Sequence, residues 1–127
     1  MQPIEVTLGG EAVKLDPPAA DLRALFALHC STQFQGAAQS SKRTILAWSA
    51  LGLCVPGEAK WDGDTLEGLL AFGRSRYNEL RDDYNAGEVM TAGWAVLGAL
   101  LDDFNGPTEA EVVERRDFTR PALASSG

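Results

Sequence analysis

His29 and Cys30 are the side chains of this 127-residue chain whose types could share nucleophilic chemistry, an imidazole base beside a thiol. As neighbours on a helix they point about 100° apart, and no third group is identifiable to orient either one. His29 therefore reads as a structural or exposed histidine. Cys30 and Cys54 both lie in apolar helical context, where a free cysteine behaves as a small buried hydrophobe. Neither a CxxC pair nor zinc-ligand spacing with the lone His29 is present, and two cysteines make no disulfide framework. The acidic pairs Asp82-Asp83 and Asp102-Asp103 supply oxygen ligands without the spacing and glycine of a calcium loop, so they read as solvated surface. No catalytic residue, metal or cofactor is expected, and the chain reads as a non-enzyme.

Stepping outward from these residues, the length suits one domain with a single core, and a hydrophobic fraction of 45% is that of a globular protein. The net charge of −7 argues against binding nucleic acid or an anionic membrane, which depends on clustered Lys and Arg. Residues 1–57 are balanced, with Glu5, Glu11, Asp16 and Asp21 against Lys14, Arg23, Lys42 and Arg43, so the acidic surface belongs to the second half. No stretch has the roughly 18 apolar residues of a membrane span, and no secretory leader pattern opens the chain. A soluble protein of a host cytoplasm is expected.

The stretch Asn85 to Phe104 predicts the central helix. Val89, Gly93, Val96, Leu97, Leu100 and Phe104 recur at helical spacing, and Asn85 with Glu88 forms a capping box. Gly93 and Gly98 each cost roughly 1 kcal/mol against Ala in a helix, which is tolerable where another backbone packs closely. At the start of the chain, Ile4 to Leu8 and Glu11 to Leu15 alternate around Gly9-Gly10, which predicts a β-hairpin with Ile4, Val6, Leu8, Val13 and Leu15 on its buried face. Asp16-Pro17-Pro18 ends the strand and opens a helix with Leu22, Leu25, Phe26 and His29 on one face. Ser31 to Ser41 reads as a loop that carries one large apolar residue, Phe34. A helix capped by Ser41 runs to Cys54, apolar almost all round and therefore buried all round. Trp61, in a turn-rich linker, reads as a lid on the core. Asp64 with Glu67 predicts a capping box for the helix that carries Leu66, Leu69, Leu70, Gly73, Tyr77 and Leu80. Asn105-Gly106-Pro107 stops the central helix, and Thr108 with Glu111 opens a short one reaching Val112, Val113 and Phe118. The fold expected is mainly α: an N-terminal hairpin (1–15) followed by about four to five helices, α+β at the margin, in one domain over 1–118 with a loose tail over 119–127.

Three segments taken together resemble small proteins of tailed bacteriophages and prophages. These are Ala47 to Pro56, Gly87 to Gly93, and Thr108 to Val112 followed by Asp117-Phe118. The hairpin and first helix, Ile4 to His29, are similar to the start of phage tail assembly chaperones. That resemblance implies a non-enzymatic morphogenesis protein that binds the tape-measure protein and recruits tail-tube subunits. Two other roles fit a small acidic domain of this kind: a minor virion component such as a head-tail connector or tail-completion protein, and an inhibitor of a host protein. The contact surface is expected on the hairpin's outer face, at Glu5, Thr7, Glu11 and Lys14, and at Phe34, because an exposed strand edge can extend a partner's sheet.

Overall fold

A computed structural model describes residues 1–33 and 40–105. The architecture is mainly α with a small sheet, in the order β1 (Ile4–Leu8), β2 (Glu11–Leu15), α1 (Ala20–Gln33), α2 (Ser40–Cys54), α3 (Leu66–Leu80) and α4 (Ala86–Asn105). The expected short helix after Pro107, the tail after it and Phe34 lie outside the described residues.

The centre of the fold is α2, not the helix over 86–105. Helices α3 and α4 pack on opposite flanks of α2, and each touches α2 far more than it touches the other. Periodicity identifies an apolar face but not the number of neighbours. The largely apolar circumference of α2 over Ile45 to Cys54 is what demands two. Leu46, Ala47, Ser49, Ala50 and Leu51 have no exposed surface at all.

Both flanking contacts are close enough to need glycine. A Cβ built on Gly73 of α3 would lie 2.6 Å from the Ile45 carbonyl oxygen and 2.3 Å from Ser49 Oγ; one on Gly93 of α4 would lie 2.6 Å from the Ala47 carbonyl oxygen. Ser49 donates to the Ile45 carbonyl at 2.9 Å and lies 3.1 Å from that of Leu69, so the one hydroxyl inside the α2–α3 contact is satisfied. Gly98 differs, since a Cβ there meets nothing within 4 Å.

Arg76 of α3 is 2% exposed and is missed by a reading that sorts charged residues outward. Its guanidinium donates to the Val55 carbonyl at 2.7 Å and the Pro56 carbonyl at 3.1 Å, just past the C-terminus of α2, and pairs with Glu79. Glycines at 52 and 57 leave the space its side chain fills. Cationic donors are favoured at a helix C-terminus, where carbonyls lack intrahelical partners. Glu79 also accepts the Ala59 N–H at 3.1 Å, so the pair fastens the loop after α2 to α3.

Several details depart from expectation. Thr65, not Asp64, caps α3: its hydroxyl accepts the Gly68 N–H at 2.9 Å, while Asp64 donates its own N–H to Asp62 in a local turn. Helix α1 continues through Ser31, whose hydroxyl donates back to the Leu28 carbonyl, as short polar side chains do inside helices. Its inward face is Phe26, Ala27 and Cys30. Leu25, expected inside, is 38% exposed and lies over Gly63 with Leu22. Phe104 is 41% exposed because it sits one turn beyond the last fully buried residue of α4, Leu100. Trp61 is buried as a lid, its N–H donating to the Thr65 carbonyl at 3.1 Å and its ring meeting His29 edge-on at 5.7 Å.

The two α4 glycines should respond oppositely in urea unfolding. Gly98→Ala should stabilise the fold by about 0.5–1 kcal/mol through helix propensity, whereas Gly93→Ala should destabilise it by about 1–3 kcal/mol because a backbone must move. The hydrogen bond from Arg76 holds the Glu79 carboxyl below the ordinary glutamate range. Stability from Glu79 is therefore present above its unfolded pKa and lost as pH falls through the lowered folded value. Against Glu79→Gln, the natural protein should lose stability more steeply across that acidic window.

Candidate protein-contact site

The hairpin is a two-residue type. Gly9 and Gly10 take φ of 63° and 79°, the left-handed values a primed turn requires. The register pairs Ile4 with Leu15, Glu5 with Lys14, Val6 with Val13, Thr7 with Ala12 and Leu8 with Glu11. Ile4, Val6 and Leu8 are buried, with Val13 and Leu15 packed beside them. Since side chains alternate along a strand, Glu5, Thr7, Ala12 and Lys14 share the outer face. Glu11 is on the other side, opposite Leu8, and is exposed only because it borders the turn. That corrects its expected place: the alternation that puts Val13 and Leu15 inward puts Glu11 with them. Glu5 and Lys14 sit directly across from each other, an opposite-charge pairing that favours this register.

Helix α4 fixes the hairpin in place. β1, not β2, is the strand that packs along α4, and Thr7 borders a shallow groove with Asn85, Gly87 and Thr91. The capping box has its expected form: Asn85 Oδ1 accepts the Glu88 N–H at 2.8 Å, and Glu88 Oε1 reaches back to the Asn85 N–H at 3.5 Å. The second Glu88 oxygen accepts the Gly10 N–H at 3.1 Å, which ties the turn to the helix across 78 residues of sequence.

The register also decides which backbone groups remain for a partner. Leu8 and Glu11 flank the turn and exchange both hydrogen bonds. The pairs Thr7–Ala12 and Glu5–Lys14 are then non-hydrogen-bonded, with their N–H and C=O groups pointing away from the partner strand. Those of Ala12 and Lys14 leave the outer edge of β2, the strand that α4 does not pack along. Ala12 was not among the residues expected from sequence, although the turn and alternation together specify it.

The candidate chemical groups are placed differently. Cys30 is fully buried and Cys54 nearly so, and both are free thiols. Burial pushes each up to about 12, with Asp16 adding to the effect at Cys54, so neither thiol supplies a nucleophilic thiolate near neutrality. His29 lies against Trp61. Among the described residues no three His, Cys, Asp or Glu side chains gather as a metal site, and no helix is long and apolar enough to cross a membrane. No protein-family model, curated protein or solved structure matches this chain.

Glu88→Ala removes the carboxylate that serves both the capping box and the turn. It should cost about 1–2 kcal/mol in global stability, and hydrogen exchange should accelerate at the Gly10 amide well before it does in α2.

Proposed function

We propose that this chain is a non-enzymatic phage morphogenesis protein of the tail-assembly-chaperone kind, acting on tape-measure and tail-tube proteins by main-chain pairing through its hairpin. The observation that carries the reading is the outer edge of β2, where Ala12 and Lys14 present backbone groups unpaired among the described residues, on a hairpin tied to the helical body through Glu88. A free, rigidly held edge suits strand addition, in which main-chain hydrogen bonds supply affinity and alternate side chains supply selectivity. Glu5, Thr7 and Lys14 are the side chains that select the partner; Glu11 borders the turn from the other face. The resemblance of Ile4 to His29 to the opening of tail assembly chaperones supports the same assignment.

The test is co-purification of the full chain with the tape-measure and tail-tube proteins encoded beside it, followed by hydrogen exchange on the complex. The Ala12 and Lys14 amides should become protected. Ala12→Pro deletes one edge donor without breaking a bond inside the hairpin, and should weaken binding about three- to tenfold in a protein of unchanged circular dichroism. Binding to neither protein, or protection confined to the helices, would overturn the proposal.

A further inference from the structure

The outer groove between α2 and α3 is the opposite in character to the acidic surface of the second half. Thr44, Ile45 and Trp48 line it from α2, and Arg74, Tyr77 and Asn78 line it from α3. The Trp48 and Tyr77 rings stack with centroids 3.9 Å apart and planes 25° from parallel. The Arg81 guanidinium lies 5.9 Å from the Tyr77 ring centre, which extends the basic edge about two turns beyond Arg74. Arg74 and Arg81 are both exposed, and neither forms an ion pair among the described residues. No carboxylate lines the groove.

Stacked aromatics within reach of two unpaired arginines would be an uneconomical way to cover a core. Aromatic and arginine side chains are the groups that anchor partners at interfaces, and Arg offers a planar fork to carboxylates. On a chain of net charge −7, a groove bare of carboxylates selects an anionic ligand by local complementarity. The charge is confined to a few side chains, however. A nucleic acid, whose phosphates extend past any groove and need many basic contacts, would run onto the acidic surface beyond it.

We infer that the α2–α3 groove is a docking site for a short acidic segment of a protein partner, whose apolar side chain lies on the Trp48–Tyr77 stack while its carboxylates meet Arg74 and Arg81. This surface is separate from the hairpin edge and does not rest on the chaperone reading.

Indole N–H signals of the full chain report on it, with Trp48 assigned from Trp48→Phe. The probe is the blocked peptide Glu-Glu-Phe-Leu-Glu-Glu, compared with its Lys-for-Glu counterpart and with an oligothymidylate about ten nucleotides long. The acidic peptide should shift the Trp48 signal and leave that of Trp94 in place. Its affinity should fall as salt rises from about 0.05 to about 0.5 M. Arg74→Glu and Arg81→Glu should each weaken it about tenfold, with Arg74→Gln intermediate and circular dichroism unchanged. Equal binding of the basic peptide, or no Trp48 response to the acidic one, would overturn the proposal. Tighter binding of the oligothymidylate would also overturn it and assign the groove to nucleic acid.

Discussion

The structure depends on how closely α2 is approached from both sides. At Gly73 and Gly93 the flanking helices come so near that a Cβ on either would collide with α2 backbone, at the Ile45 and Ala47 carbonyls. Such spacing brings backbone surfaces into van der Waals contact with α2, and large side chains of its neighbours, Leu69 and Phe72 of α3 and Val96 and Leu97 of α4, join Leu46 and Leu51 in the core. Other placements follow from it. With α3 and α4 seated on the flanks, α1 closes over α2 and α4, and the hairpin, marginal as an isolated pair of strands, gains its hydrophobic support from α4.

Close packing leaves loop backbone groups to satisfy, and two glutamates do this in the same way. Glu79 pairs with Arg76 one turn before it and accepts the Ala59 amide; Glu88 reaches back to Asn85 and accepts the Gly10 amide. In each case a carboxylate held on a helix end fixes a distant loop through a charge-assisted bond to a main-chain donor. Arg76 is the more exacting partner. Its Nε is buried without an acceptor. Nη2 alone holds both the Val55 and Pro56 carbonyls while Nη1 pairs with Glu79, and truncating the side chain would leave both carbonyls unsatisfied at about 1–3 kcal/mol each.

Most of the elements were legible in the chain because their signals are local. The hairpin register follows from Gly9-Gly10 and strict alternation, and the start of α4 follows from Asn85 and Glu88. The failures share a cause: they depend on neighbours that are remote in sequence. Centrality passed from α4 to α2 because apolarity all round, visible in Ile45 to Cys54, ranks a helix by the number of its neighbours, whereas the longest amphipathic stripe does not. Arg76 went unread because an arginine within an apolar stripe makes sense only once the carbonyls past α2 lie beside it. Leu25 and Phe104 have helical spacing, but among the described residues no facing element buries them. Within the candidate site, Glu5, Thr7 and Lys14 face outward as alternation requires. The same rule puts Glu11 on the Leu8 face, and the small Ala12 side chain gives no hint that its backbone is what is exposed.

The groups that could have carried chemistry are absorbed into structure. Two thiols are held protonated in the core and the one imidazole packs against the Trp61 lid. The two proposed contact surfaces differ in physical kind. The β2 edge offers directional main-chain bonds on the α4 side of α2; the Trp48–Tyr77 groove offers ring faces and cationic forks on the α3 side. Because α2 separates α3 from α4, a short segment on one surface leaves the other open. Joining two partners by one small body raises the effective concentration of each for the other. If both proposed surfaces are occupied at once, this small body would act by bringing other chains together.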